Sequence, residues 1–464
     1  MGITALVNNL REGVLRMPLT GIEIFKLLPK TNCGECGVPT CLAFAMNLAT
    51  GKAELSACPY ISEEAKVKLE EASAPPIRPV TVGVGDRALK VGGETVMFRH
   101  EKRFENPPGF AILISDAMEE SEVNSRLERF RQLQYERIGL ILRPDLVAVK
   151  DESGDASKFE ALVNKVKQSS DGGIILMSSN PDILAAGLKV CADRKPLIYA
   201  ATEESLERLA DLAKESSCPV AVKASNLEEL AQLTTKLNEA GVNDIVLDSG
   251  SRSVRRAFED QVFIRSSALN KKFRPLGFPT IVFPCEMTDD PMKEAVIASI
   301  FVAKYGGIIV LSDFQGESLF PLLVERLNVY TDPQRPLATT EGIYEIGGPD
   351  ENSPVLITTN FSLTYFIVSG EIEGSRVPSY LLVKDTEGLS VMTAWAAGKF
   401  VGDAIAAFVK KSGIMDKVKH HKLVIPGYAA AESGGLEEDL PGWEILIGPR
   451  DGSHIPAYLK TWTP

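Results

Sequence analysis

From about residue 80 to residue 336 the chain alternates short, nearly unbroken apolar runs with amphipathic stretches of helical period. The runs are Ala111–Ser115, Leu146–Lys150, Ile174–Ser178, Leu197–Ala200, Pro219–Lys223, Asp244–Asp248, Thr280–Pro284 and Ile308–Ser312. Most lack the polar–apolar alternation of a half-exposed strand, which predicts parallel strands buried on both faces. Eight such strands with helical connectors occupy roughly the 250 residues typical of a (β/α)8 TIM barrel. An open doubly wound sheet is the alternative. Val80–Gly85 and the stretch around Thr95–Phe98 read as an entry hairpin.

Two proline-rich breaks bound this region. Ala74-Pro75-Pro76-Ile77-Arg78-Pro79 precedes it, and Thr331-Asp332-Pro333-Gln334-Arg335-Pro336 follows it. Ahead of the first break, Thr20 is placed to cap a helix through Ile24, Phe25 and Leu28. A second helix runs from about Thr40 to Thr50, and a charged one from Glu63 to Ala72. Beyond the second break four strands are expected, Val355–Thr359, Tyr380–Val383, Leu423–Ile425 and Glu444–Ile447, with the clearest helix from Val391 to about Lys411. Four β–α repeats suggest a small parallel sheet of the Rossmann kind, in which ligands bind at the carboxyl ends of the strands. The loops to watch are Thr358–Ser362, Asp385–Ser390, Pro426–Tyr428 and Gly448–Arg450. The expected organisation is a leader, 1–16, then a multidomain α/β protein: 17–76, the barrel 77–336, and a Rossmann-like domain 337–464.

Composition adds bounds. At 464 residues the chain exceeds one core, and 44% hydrophobic with 24% charged residues is ordinary for a globular protein. A net charge of −12 argues against nucleic acid or an anionic membrane as partner. No apolar run approaches the roughly 18 residues of a membrane helix, so a cytoplasmic protein is expected.

The chemistry at the front end is carried by cysteine. Cys33, Cys36, Cys41 and Cys58 stand in the spacing C-x2-C-x4-C-x16-C, with Pro59 after the last. Four converging thiolates hold either an iron–sulfur cube or zinc. Structural zinc sites usually present two C-x2-C knuckles and only one is present, so a [4Fe–4S] cluster is the better reading. Cys41 falls in the first turn of its helix, where free N–H groups favour a thiolate. Gly34, Gly37 and Gly51 permit close backbone approach. Cys191, Cys218 and Cys285 lie at or beside apolar segments and read as core thiols.

These residues also carry a resemblance. The stretch from Leu27-Leu28-Pro29-Lys30-Thr31-Asn32-Cys33 to Cys58-Pro59 resembles the cluster domain of the large (gamma) subunit of the corrinoid iron–sulfur protein. The likeness continues through Val80–Arg87 and Phe98–His100. It is strongest in Thr358–Phe366 and Asp385–Ser390, and it covers essentially everything after Met17. It implies a three-domain corrinoid methyl carrier of the reductive acetyl-CoA pathway. Such a carrier takes a methyl group from a methyl-pterin through a separate methyltransferase and passes it to the nickel–iron cluster of acetyl-CoA synthase. Its [4Fe–4S] cluster reactivates oxidised cobalt. The implied partners are a small (delta) subunit forming a heterodimer, the methyltransferase, and acetyl-CoA synthase with CO dehydrogenase.

Within the last domain, the residues expected to cradle the cobamide are Thr358, Asn360, Ser362, Thr364, Thr386, Glu387, Gly388, Leu389, Gly448 and Pro449. The four histidines, His100, His420, His421 and His454, lack an Asp-x-His-x-x-Gly context, so base-off cobalt without a protein imidazole is expected. His420 and His421 read as solvated helix-end residues, while His454 lies near the last loop, within reach of the cofactor. No catalytic residue is assigned. The barrel offers Asp116, Asn180, Asp248 and Asp313 at its strand ends, either as a site or as part of an inactive docking barrel. Two other functions stay open: a pterin-dependent corrinoid methyltransferase working in its own barrel, and an iron–sulfur activator of other corrinoid proteins.

Overall fold

The computed structural model describes residues 21–49, 53, 55–62, 65, 66, 69, 75–137, 140–332 and 337–464. The leader 1–16, Thr20, Gly51, most of the Glu63–Ala72 stretch and residues 333–336 lie outside that set. The described chain forms two compact units. One takes the residues up to Tyr135 together with Leu142–Tyr330; the other takes Glu136–Ile141 with Thr331–Pro464. The described part of 17–76 thus falls in the same unit as the barrel.

The first unit begins with helices Gly21–Leu27 and Cys41–Ala49, whose Ile24, Leu28, Phe44 and Ala45 form a small core with Cys41. A hairpin follows, β1 (Val80–Val82) antiparallel to β2 (Leu89–Val91). The second hairpin strand is therefore Leu89–Val91 and not Thr95–Phe98. Leu89 and Val91 are buried on the side that faces the barrel interior, whereas Thr95–Phe98 has no such alternation.

The barrel strands are β3 (Gly109–Ser115), β6 (Leu146–Lys150), β7 (Gly173–Met177), β8 (Leu197–Ala201), β9 (Val220–Lys223), β10 (Ile245–Asp248), β11 (Ile281–Val282) and β12 (Ile308–Leu311). A hairpin, β4 (Tyr135–Arg137) and β5 (Leu140–Leu142), lies between the first two. The barrel strands run parallel in the order β10-β9-β8-β7-β6-β3-β12-β11. A parallel bridge from Leu247 to Thr280 joins the two ends, and Leu247 N–H donates to Pro279 O at 2.8 Å. The sheet is closed, which decides between barrel and open sheet.

Alternate residues of each strand enter two different cores. Ala111, Leu146, Ala148, Ile175, Val246, Ile308 and Val310 fill the interior, while Ile112, Ile114, Val147, Ile174 and Ile309 pack under the helices. Burial on both faces is what erased the polar–apolar alternation. Val80, Val82, Leu89 and Val91 of the hairpin belong to the interior core and stop the amino end of the barrel. A Cβ at Gly109 would lie 2.2 Å from Leu89 Cδ2, so the first strand begins with glycine where the stopper presses on it. Asp155, Asn180, Asn226, Ser253 and Asp290 each accept from backbone N–H groups at the start of a barrel helix, a contribution of about 1 kcal/mol apiece.

The second unit holds β13 (Gly342–Ile346), β14 (Val355–Thr359), β15 (Ser379–Lys384), β16 (Lys422–Ile425) and β17 (Glu444–Ile447), ordered β13-β15-β14-β16-β17. Four are parallel, as expected; β13 is an additional antiparallel edge strand. The order reverses between β14 and β16, the switch point of a doubly wound sheet. The expected helix Val391–Lys411 is two helices, Val391–Ala396 and Gly402–Ser412. Gly398 adopts φ +70° between them, and Glu432 holds the second start by accepting from Gly402 N–H at 2.8 Å. Among the described residues no helix is long and apolar enough to cross a membrane.

Candidate functional site

The four N-terminal cysteines come from three short segments around one corner. Cys41 opens its helix, and its N–H donates to Asn32 Oδ1 at 2.8 Å while Asn32 N–H approaches Cys41 Sγ at 3.4 Å. That exchange fixes the loop carrying Cys33. Gly34 and Gly37 sit at φ +77° and +82°, joined by a 3.0 Å backbone bond, and a Cβ at either would meet nothing within 4 Å. The positive φ values, not crowding, are what call for glycine at these two positions of the cysteine loop. Cys41 is buried, Cys36 and Cys58 pack beside it, and Cys33 is exposed. Tyr60 donates to Glu35 at 2.9 Å; that bond, with Glu35's charge and then Cys33 and Cys58, raises its phenol above the ordinary value. Among the described residues, no group of three or more His, Cys, Asp or Glu is drawn tightly enough to hold a single metal ion.

In the second unit a cavity of about 180 Å³ opens at the carboxyl ends of β14 and β16, at the switch point. Thr358, Thr364, Gly448 and Pro449 line it, with Ile367, Val368, Val391, Ile425, Tyr428 and Arg450 among the further walls. Arg450 lies over the Tyr428 ring, 5.8 Å from its centroid. The backbone is closely fitted here. A Cβ at Gly448 would lie 2.9 Å from Val424 Cγ1, and one at Gly427 would lie 2.6 Å from Gly448 O.

The other expected residues form a hydrogen-bonded knot beside the cavity. Asn360 Oδ1 accepts from Thr386 N–H at 2.9 Å and Gly388 N–H at 3.0 Å, with the Thr386 hydroxyl at 3.1 Å. Asn360 Nδ2 donates to Asp385 Oδ1 at 2.8 Å, which also accepts from Glu387 N–H at 2.8 Å. Glu387 and Gly388 are both left-handed, at φ 57° and 75°, so the turn depends on this bracing. Glu387 itself is exposed and paired with Lys399, and Leu389 packs against the sheet's core. Asn360 is thus a brace for the Thr386 loop, with its amide fully engaged.

Among the described residues, seven buried side-chain polar atoms have no partner. Four are hydroxyls from this one region: Thr339, Thr358, Thr359 and Ser362. Ala338 bridges to Phe361 and Thr339 N–H donates to Asn360 O at 2.8 Å, so the four come from adjoining backbone.

The histidines stand apart from the cavity lining. His420 is half-buried, presents Nε2 to Ser353 O at 2.8 Å and sits edge-on to Trp462; His421 is edge-on to Trp443. Both lie in the loop before β16 and not at a helix end; His421 is exposed as expected, whereas His420 is partly buried. His100 stacks on Phe98, and exposed His454 neighbours Gly452 and Ile455 of the cavity wall.

The barrel candidates separate cleanly. Asp116 accepts from the N–H groups of Glu152 and Ser153, Asn180 caps a helix, and Asp313 pairs with Arg129 at 2.7 Å. Only Asp248 is buried. It accepts from Tyr199 at 2.5 Å and from Arg252 at 2.9 and 3.0 Å. Sequence reading missed the residues of this network other than Asp248, although Asp248 and Arg252 at i and i+4 were a visible pair. It also missed Ile367 and Val368, three and four residues after Thr364 and hence on its helix face.

Comparison with known proteins follows the same division. The family model described as CO dehydrogenase/acetyl-CoA synthase delta subunit matches residues 79–459, and a second, described as a putative Fe-S cluster, matches 28–60. The corrinoid/iron-sulfur protein large subunit of Moorella thermoacetica is 47% identical over 96% of this chain and 99% of its own length. The acetyl-CoA decarbonylase/synthase complex subunit gamma of Methanopyrus kandleri is 40% identical over 95% of this chain and 97% of its own. Among solved structures, the 7,8-dihydropteroate synthase of Vibrio fischeri ES114 aligns with a TM-score of 0.39 at 12% identity, over 55% of this chain and 100% of that one; that likeness bears no weight here. Matched end to end by large and gamma subunits, the chain belongs to the corrinoid/iron–sulfur protein large-subunit family of the acetyl-CoA decarbonylase/synthase system.

Proposed function

We propose that this chain is a corrinoid methyl carrier, with a cobamide held at the carboxyl ends of β14, β16 and β17 and a [4Fe–4S] cluster held by Cys33, Cys36, Cys41 and Cys58. A cobamide held there would supply the cobalt chemistry of methyl transfer, from a methyl-pterin by way of a methyltransferase to acetyl-CoA synthase, and the cluster would supply the electron that reduces oxidised cobalt. The protein's share is to bind and orient. Thr358, Thr364, Gly448 and Pro449 shape the wall, and Asn360 keeps the Thr386–Leu389 turn in place beside it. Gly34 and Gly37 supply the left-handed positions of the front cysteine loop.

The observation that carries this reading is a set of four unpartnered hydroxyls on adjoining backbone at the carboxyl end of β14, of which Thr358 lines the apolar hollow. Each costs about 1–3 kcal/mol while unsatisfied, and a fold gains from keeping them together when a polar ligand or ordered water answers them. The exposed Leu363, Ile367, Met392, Trp395 and Tyr428, on the helices and loop that bear the cavity residues, suit a surface that a partner covers. The small (delta) subunit is the partner proposed there, in a heterodimer that then meets the methyltransferase and acetyl-CoA synthase.

The test is anaerobic co-purification with the small subunit, followed by visible and EPR spectra. The expected result is base-off cobalt(II) beside a reducible cubane. A colourless zinc protein, imidazole-ligated cobalt or a preparation without corrinoid would overturn the proposal.

A further inference from the structure

Parallel barrels carry their ligands at the carboxyl ends of the strands, and here that end is filled by the chain's own side chains. Arg252, in the loop after β10, lies 4.6 Å from the centroid of the Phe283 ring just past β11. Its guanidinium reaches Asp248 at the end of β10, the Tyr199 hydroxyl of β8 at 3.2 Å, and Glu286 beyond β11. One side chain therefore spans the arc from β8 to β11. On the opposite arc Ser115 of β3 donates to Glu152 at 2.5 Å, and Lys150 of β6 pairs with Glu152 at 2.7 Å. Asp151 and Ser178 are joined at 2.6 Å, and Ser312 after β12 donates to Glu294 at 2.5 Å. The exception is Lys223, exposed at the end of β9.

We propose that Arg252 is a plug that keeps the ligand end of the barrel shut, so that no methyl donor is taken up there. Its forked contacts to two carboxylates and its stacking on Phe283 hold it across the opening, and a lysine would not reproduce that fork. Cys285, partly buried beside Glu286 at the same end and within the electrostatic reach of Arg252, is a native probe of whether the plug is in place. Burial, with Glu294 and Glu286, pushes its thiol up to about 12 while Arg252 opposes the rise; loss of the Arg252 charge alone would slow thiolate labelling, so faster labelling in the variant reports opening. The inference is independent of the corrinoid site, because neither Arg252 nor Cys285 lines the cavity of the second unit.

Two measurements on the full chain under anaerobic conditions decide it. Maleimide labelling of Cys285, followed by peptide mass mapping, should be at least about tenfold slower in the wild type than in Arg252→Ala, since reaction needs local opening. Arg252→Lys should fall between them; circular dichroism checks that each variant is folded, and Lys stands in if Ala fails to fold. Equilibrium dialysis of methyltetrahydrofolate against the wild type should show no saturable uptake. Wild-type Cys285 labelling as fast as the variants, or saturable uptake that Asp248→Asn abolishes, would overturn the proposal.

Discussion

The protein contains two carboxyl-terminal rims of parallel strands, and it treats them in opposite ways. On the barrel rim, Ser115, Lys150, Ser178, Tyr199, Asp248, Glu286 and Ser312 each have an internal partner. On the rim of the five-stranded sheet, Thr358, Thr359 and Ser362 are buried with hydroxyls that have none, beside a cavity of about 180 Å³. The fold rule that ligands gather at strand ends applies equally to both. What distinguishes them is whether the polar groups are already spoken for. Saturation marks a rim that supports itself, and deficit marks a rim that awaits something.

The largest expected effect comes from removing the cysteine site's cofactor while the rim of the five-stranded sheet is left untouched. Cys36→Ala should abolish the cubane absorption and its reduced EPR signal while corrinoid content, measured on the same preparation, stays at the wild-type level. A change of several kcal/mol is expected next, on the barrel. Asp248→Ala removes one of the two carboxylates on Arg252 and the acceptor of the Tyr199 hydroxyl and should cost about 3 kcal/mol in chemical denaturation, with corrinoid content unaffected. Asn360→Ala should cost about 2–3 kcal/mol, because it orphans two backbone N–H groups, and should also lower corrinoid retention on gel filtration.

A pair of small substitutions addresses the contrast directly. Thr358→Val removes a hydroxyl that has no partner, so the cofactor-free protein should gain about 1 kcal/mol while its corrinoid affinity falls. Ser115→Ala removes a hydroxyl that has one and should lose about 1 kcal/mol. Equal signs for the two in thermal denaturation would erase the distinction between the rims. The smallest effect is a pH slope. Burial raises the Glu94 carboxyl above the usual range despite its pairing with Arg265 at 3.1 Å. The folded state then holds its proton more tightly than the unfolded chain, so stability falls as pH rises from the ordinary carboxylate value to the raised one. Glu94→Gln should flatten that part of the stability–pH curve.

Strands buried on both faces were the most legible feature, since continuous apolar runs such as Leu146-Val147-Ala148-Val149 have few other uses. Half-exposed elements were not. The run Gly342-Ile343-Tyr344-Glu345-Ile346 of β13 carries a glutamate and no strong period, and its identity as a strand comes from pairing with β15. The break at Gly398 was hidden because Val391–Phe400 is apolar enough to pass as one helix. At the site, strand ends pointed to the right loops, and Thr358, Thr364, Gly448 and Pro449 do line the cavity. The inner task of Asn360 was not readable, because a brace and a ligand contact use the same amide.

β13 has a final consequence. It runs against β15 as the outermost strand on that side, so among the described residues the two open backbone rails belong to β13 and to β17, where Ile447 is half exposed. A foreign strand could add at either rail, and each edge strand carries a charge pair, Glu345 with Lys417 at 2.8 Å on β13 and Glu444 with Lys422 at 3.8 Å on β17. Removing β13 would exchange that charged edge for β15, whose buried run Ser379–Val383 would become the new outer rail and a template for strand addition.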